Sequence, residues 1–338
     1  MQLLSATQAI SPAVERTRDL LFRPFQWGTF LKLCAVAVFT EGASSNFNNH
    51  TGSTHSHAYS GGGMPFNPAM IPLIAAIVLA AVVIAIVVFY FVVRLRFALF
   101  DCLIHQSRLI APGWHRYRDQ AFRFFELSIG VGIVFVAAIV VTMLPFIKGF
   151  WHAYQQSRMD GHFPSVELVA LLLQFIPLIL VFALAGVCVD VVMRDFMLPH
   201  YALENASAGQ AWIAVYDRVT REPGAFLLYA LLRVILPVVA IVALTIALII
   251  PGLIVFGGLG LMMAGLHAAA SNGSGPLAWL FMGIVGFVML VLAVFATICV
   301  GGPLSIAIRN YALMFYGGRY PALGSILSPP EMPGAATA

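Results

Sequence analysis

The stretch VCVDVVMRDFMLPHYALENASAGQAWIAVYDRV, Val187 to Val219, decides the architecture. Its first part closes a long apolar run that opens near Val166 and ends in Asp190, Arg194 and Asp195, ahead of Pro199. Its second part restarts as a helix. Ser207 is an N-cap residue with Gln210 three positions on, the signature of a capping box. Trp212, Tyr216 and Val219 then recur on one face at helical spacing, while Asp217, Arg218 and Arg221 take the other. Pro223 and Gly224 end it. An apolar helix that leaves the hydrocarbon through charged residues and hands over to a Trp- and Tyr-bearing amphipathic helix is the pattern of a span joined to an interfacial helix.

Composition extends that reading to the whole chain. Of 338 residues 61% are hydrophobic and 9% charged, against about 25% charged in soluble domains. Six apolar runs read as crossings: Phe25 to Thr40, Ala69 to Val93, Phe124 to Phe146, Val166 to Met193, Ala225 to Ile250 and Pro276 to Val300. The first is short and carries Lys32. The expected fold is all-α, a multi-pass integral membrane helical bundle forming a single membrane domain over 1–338, with an outer polar loop at 42–66 and a C-terminal tail at 325–338. The first residues carry Glu15, Arg16, Arg18, Asp19 and Arg23 and no apolar signal segment, so the N-terminus is expected to be retained. Cys34, Cys102, Cys188 and Cys299 are scattered and form no disulfide framework.

Charge placement gives orientation. With the N-terminus in the cytoplasm, inside segments hold Arg16, Arg18, Arg23, Arg94, Arg96, Arg108, Arg116, Arg118, Arg123, Arg194, Arg218, Arg221, Arg309 and Arg319, and outside segments hold only Lys148 and Arg158. Both termini are therefore expected on the cytoplasmic side of the inner membrane. Trp27, Trp114 and Trp212 fall near the inner interface and Trp151 and Trp279 near the outer one, in agreement with the arginine count. The net charge of +4 flanks spans instead of forming a nucleic-acid surface, so the expected partners are the lipid bilayer and another membrane protein or a second copy, with no nucleic acid. The run PGLIVFGGLGLMMAGLHAAASNGSG from Pro251 reads either as a kinked continuation of the fifth helix or as a re-entrant segment packed on protein.

The opening pattern recurs. A span ends in Arg94 and Arg96, Pro112 and Gly113 break the chain, and WHRYRDQAF puts Trp114, Tyr117 and Ala121 on one face. At the start, Ser11 and Pro12 open a helix aligning Val14, Thr17 and Leu21, which Pro24 stops. Three repeats follow, at 12–96, 113–194 and 208–309, each an interfacial helix and two spans, with exits RLRFAL, RDFML and RNYAL. Basic inner loops in any stack of hairpins produce a similar periodicity.

RDFMLPHYALENASAGQAW, its amphipathic helix and Pro-Gly-led span, the closing GGPLSIAIRNYALMFYGGRYPAL and the opening SPAVERTRDLLFRPFQWGTFLKLC together resemble uncharacterised bacterial and archaeal six-span proteins. These are similar to the membrane domain fused to some glycerophosphodiester phosphodiesterases. The resemblance covers most of the chain and implies architecture. These 338 residues are not expected to hold a phosphodiesterase barrel beside the spans, and the resemblance supplies no catalytic residues.

The candidate sites are few. NFNNHTGSTHSHAYSGGG carries His50, His55 and His57, a candidate metal set; a solvated loop is its ordinary reading. Asn67-Pro68-Ala69 is similar to the aquaporin half-helix motif, but has no second copy and is also an ordinary helix start. Arg233 lies within the fifth span, with Asp190 and Glu126 as candidate partners for an intramembrane polar site; a structural pair or a snorkelling side chain is the alternative. Asp190 and Arg194, one turn apart, are placed to pair, and Gln174 to bond to a neighbouring helix. There is no HExxH, GxSxG or phosphate-loop motif and no close carboxylate pair inside a span. The expectation is a non-catalytic membrane-organising or accessory protein with no cofactor. The alternative is a small-solute or ion transporter whose path runs past Arg233 and the glycines after Pro251.

Overall fold

The computed structural model describes residues 3–49, 71–160, 165–271 and 275–328, and every described element is helical. In chain order these are α1 (Ile10–Phe22), α2 (Trp27–Asn49), α3 (Ile71–His105), α4 (Ile110–Arg116), α5 (Arg118–Asp160), α6 (Ser165–Val191), a π turn (Val192–Met197), α7 (Leu198–Glu204), α8 (Ala208–Arg221), α9 (Pro223–Gly252), a second π turn (Leu253–Gly257), α10 (Gly258–Ser271), α11 (Gly275–Gly317) and α12 (Pro321–Leu327). They fall into two compact units, residues 1–117 with 224–338, and residues 118–223.

Among the described residues five helical runs are long and apolar enough to cross a membrane: Pro72–His105, Arg118–Trp151, Leu173–Glu204, Pro223–Ala269 and Trp279–Gly317. In the apolar windows of the second, third and fourth no residue is buried inside the protein. Val134, Leu180, Leu227 and Leu261 are 68–78% exposed. Leaving such a side chain in water forfeits about 1.5–3 kcal/mol each, and the helices satisfy their own backbone groups. Their solvent is hydrocarbon, and the protein is a helical membrane protein. The first expected crossing, Phe25 to Thr40, belongs to α2, which is not among the five; its Leu33, Cys34, Ala37 and Thr40 are buried against protein.

The helices exceed their spans. α5 and α11 have 43 residues each, about 65 Å at 1.5 Å per residue, twice the hydrocarbon thickness. In the larger unit the excess builds a core. Val92–Ile104 of α3 and Ile306–Tyr316 of α11 are largely buried, together with one face of α1 (Ala13, Thr17, Leu20 and Leu21), Phe30, Leu33, Cys34 and Ala37 of α2 and Leu323 of α12. Tyr229 of α9 stacks on Phe315 and Tyr311 of α11, with centroids 4.5 and 5.2 Å apart. α2 crosses α11 where Gly302 meets the backbone of Cys34, an approach that leaves no space for a Cβ.

In the smaller unit α5 and α6 are stitched by aromatic contacts, Phe135 on Phe182 and Phe146 on Phe175. At one end Phe124 meets Tyr201 edge-on at 5.3 Å. α7 ends at Asn205, whose φ of 51° is the left-handed turn that stops a helix. Ser207 and Gln210 then form the expected capping box on α8.

Several local expectations shift. α1 starts at Ile10 with no side-chain cap, so Ser11 does not open it, and Val14 is exposed while Thr17 and Leu21 are buried. Pro112 and Gly113 lie inside α4; the break falls earlier, at Gln106, whose φ is 49°. Pro112 is tolerated because the first-turn N–H groups have no helical partner to lose. α2 continues to Asn49, into the stretch expected as a polar loop. The chain from Pro251 does not turn back: helix continues through the π turn into α10, so of the two readings the continued fifth helix is the one realised, and Pro251 with the π turn is its irregularity. His50, His55, His57, the Asn67-Pro68-Ala69 motif, most of the 42–66 loop and the tail beyond Ser328 lie outside the described residues.

Candidate functional site: a carboxylate held by two arginines

Four helices of the larger unit bring charge together. α2 is apolar from Leu33 to Phe39 and then presents Thr40 and Glu41; α11 brings Arg309, α9 brings Arg233 and α3 brings Arg96. Arg309 donates from Nε to Glu41 Oε1 at 2.5 Å, and Arg233 Nη2 lies 3.9 Å from Glu41 Oε2. The three side chains are only 10–15% exposed. Arg96 donates from Nε and Nη2 to the carbonyl oxygen of Thr40, at 3.3 and 3.2 Å. Beside Arg309, Asn310 is fully buried and donates to Thr17 Oγ1 at 2.9 Å, whose hydroxyl in turn donates to Ala13 O. Charges this far from water require partners and hydrogen bonds. The cluster provides ion pairs and hydrogen bonds from elements far apart in sequence and so ties α1, α2, α3, α9 and α11 together, while Asn310 Oδ1 is buried with no hydrogen-bond partner among the described residues.

The chain belongs to a family of unknown function (DUF7544). The family model matches residues 4–326, which include the whole cluster. No curated protein and no solved structure matches the chain.

Of the residues expected to form an intramembrane polar site, Arg233 sits in this cluster, but the carboxylate it meets is Glu41. Asp190 is taken by Arg194, with Nε 2.7 Å from Oδ1, the one-turn pair expected from spacing. Glu126 is exposed and makes no ion pair among the described residues, and Gln174 is likewise exposed with no hydrogen bond to a neighbouring helix among them. Glu41 was detectable, because it is the one acidic residue between Asp19 and Asp101.

Two further polar groups occupy helix ends. In the larger unit buried Asp101 accepts from the Tyr117 hydroxyl at 3.2 Å, with His105 Nδ1 at 3.3 Å and Arg116 Nη1 at 3.9 Å. Burial first, and then the negative charge of Asp101, push the Tyr117 hydroxyl up to about 12. A Cβ on Gly113 would stand 2.9 Å from Asp101 Cβ, so only glycine lets α4 lie this close to α3. In the smaller unit buried His200 holds Glu204 Oε2 at 3.0 Å through Nδ1 and faces Arg218 Nη1 at 3.5 Å through Nε2. With a guanidinium, which can only donate, at Nε2, the proton belongs on Nδ1, where it bonds the carboxylate. Among the described residues no three His, Cys, Asp or Glu side chains are grouped to hold a metal ion.

Several other arginines of the larger unit act on backbone. Arg16 donates to Leu103 O and Ile104 O, Arg94 to Trp114 O while its guanidinium lies 4.2 Å over the Trp114 ring, and Arg319 to Leu4 O and Phe315 O. These carbonyls end helices or loops and lack helical donors. The basic residues that a topology rule counts are also the clamps of the packed ends.

Proposed function

We propose that this protein is a non-catalytic component of the cytoplasmic membrane that organises anionic lipid or supports a partner membrane protein, with both termini in the cytoplasm. The observation that carries the reading is the outer face of α8. Ala211 and Val215 pack on protein, whereas Trp212, Ile213 and Tyr216 are 54%, 68% and 62% exposed beside Arg218 and Arg221. An uncovered Trp-Ile-Tyr face flanked by arginines suits the headgroup region of an anionic leaflet.

The arginine-rich helix ends support the cytoplasmic orientation. The order of one short helix and two long ones, in α1 to α3, α4 to α6 and α8 to α11, supports three repeats at 12–96, 113–194 and 208–309. So do the exits: Phe97, Phe196 and Tyr311 are each preceded by a buried polar residue, Arg96, Asp195 and Asn310. The likeness to a membrane domain fused to some glycerophosphodiester phosphodiesterases fits a supporting role for such a bundle.

The test is reconstitution with self-quenching fluorescent phosphatidylglycerol, alongside crosslinked purification from the native membrane. Lipid clustering or a stoichiometric protein partner is expected. Neither result, with solute flux across the same liposomes, would favour the transporter reading instead. That second reading is supported by Arg233 in its low-exposure cluster below the apolar part of α9. On it, Arg233→Leu abolishes flux.

A further inference from the structure

We infer that the larger unit binds one anionic phospholipid, with an acyl chain in the groove between α2, α3 and α11 and the phosphate at Lys32. The groove has a volume of about 520 Å³ and is lined by Ala35, Val36 and Phe39 of α2, Leu95 of α3, and Ala293 and Thr297 of α11, among others. Its lining is almost wholly apolar, and Phe39 is 48% exposed, so the groove is open at the protein surface. This suits a lipid chain rather than a polar solute.

The charge that selects the lipid sits on the same wall. Positions 32, 35, 36 and 39 recur at helical spacing, so Lys32 shares a face with the α2 residues of the groove. Lys32 is exposed and, among the described residues, makes no ion pair or hydrogen bond. The acid nearest to it on α2, Glu41, is held by Arg309 and Arg233. Trp27, 61% exposed and packed among Phe25 and Phe30, marks the headgroup level on the N-terminal side of Lys32. Helical side chains lean toward the helix N-terminus, so the ammonium snorkels toward that level while the groove extends the other way. A cation at the mouth of an apolar groove, in no ion pair among the described residues, is matched by a phosphodiester bearing net negative charge. A zwitterionic headgroup brings a second cation beside the Lys32 ammonium, which repels it.

This deepens the lipid reading above and is tested apart from it. The purified protein is offered equal phosphatidylglycerol and phosphatidylcholine in detergent, and retained lipid is read by native mass spectrometry. Wild type is expected to prefer phosphatidylglycerol about five-fold, the ratio that one cation near an anionic surface supplies. Lys32→Gln brings the ratio to about one, and Lys32→Arg keeps it. Ala35→Phe, which fills the groove and leaves the charge, lowers retention of both lipids. Thermal unfolding in the same detergent shows that each variant is folded, and Ala35→Phe decides the matter should Lys32→Gln not be. An unselective wild type, a ratio unmoved by Lys32→Gln, or retention unmoved by Ala35→Phe would each overturn the site. Phosphatidylglycerol clustering that survives Lys32→Gln, with no change in retained lipid, removes this site and leaves the broader lipid reading standing.

Discussion

Glu41 and Arg309 meet at 2.5 Å although 268 positions separate them in the sequence. The contact joins α2 to α11, and Arg233 of α9 lies 3.9 Å from the other carboxylate oxygen. Removing one partner of a low-exposure pair leaves an uncompensated charge, so Glu41→Ala is expected to destabilise by about 3 kcal/mol, as measured by unfolding in detergent. Combining it with Arg309→Met should cost less than the sum of the two single changes, since neither charge is then stranded. Arg233→Leu, at the longer distance, should cost about 1 kcal/mol and leave the fold intact. Additive losses in the double variant would show that the pair is not coupled.

The class of fold and the capped amphipathic helix α8 were legible in the sequence because their signals are local. Long apolar runs need no knowledge of partners, and Ser207 with Gln210 caps α8 using residues three apart. Asp190 with Arg194 was legible for the same reason. The Glu41 cluster was not, because no periodicity links α2 to α9 and α11; the isolation of Glu41 in an acid-poor stretch pointed to a special role but not to its partners. The apolar faces misled in one respect. Trp212 and Tyr216 were read correctly as an apolar face, yet the protein is packed against the neighbouring stripe of small residues, Ala211 and Val215.

The α2–α11 crossing tolerates no side chain at Gly302. A Cβ there would lie 2.6 Å from Cys34 Cα and 2.8 Å from its Sγ, and backbone cannot yield cheaply. Gly302→Ala should therefore cost about 1–3 kcal/mol. Gly301→Ala is the control, since its Cβ would sit 3.5 Å from Val38 Cγ2, an ordinary contact. Equal unfolding midpoints for the two variants would contradict the close approach.

Alkaline titration should single out Tyr117. Its hydroxyl is raised to about 12 by burial and by Asp101, above the ordinary 10. The folded state thus holds a proton that the unfolded chain releases first. The stability linked to this proton is fully present below pH about 10 and is lost as pH rises through about 12. Tyrosinate absorbance, compared between wild type and Tyr117→Phe, should place this residue's ionisation late. Asp101→Asn should move it earlier by removing the neighbouring negative charge, and an ionisation unmoved by that change would leave burial as the sole cause.

The two apolar stripes of α8 should separate by experiment. Val215, 3% exposed, is part of the protein core, and Val215→Ala is expected to lower stability by about 1–2 kcal/mol. Trp212, Ile213 and Tyr216 are open in the folded protein, and their replacement by serine should change unfolding in detergent by about 0.5 kcal/mol or less. In vesicles the order inverts. Trp212 fluorescence should be quenched by lipids brominated near the headgroup and less by lipids brominated at the chain end, because an amphipathic helix sits at the acyl boundary. Serine at positions 213 and 216 should weaken that quenching, whereas Val215→Ala should not. Quenching strongest from the chain end would put α8 inside the hydrocarbon, and quenching from neither would put its open face in water, where another protein would be needed to cover it.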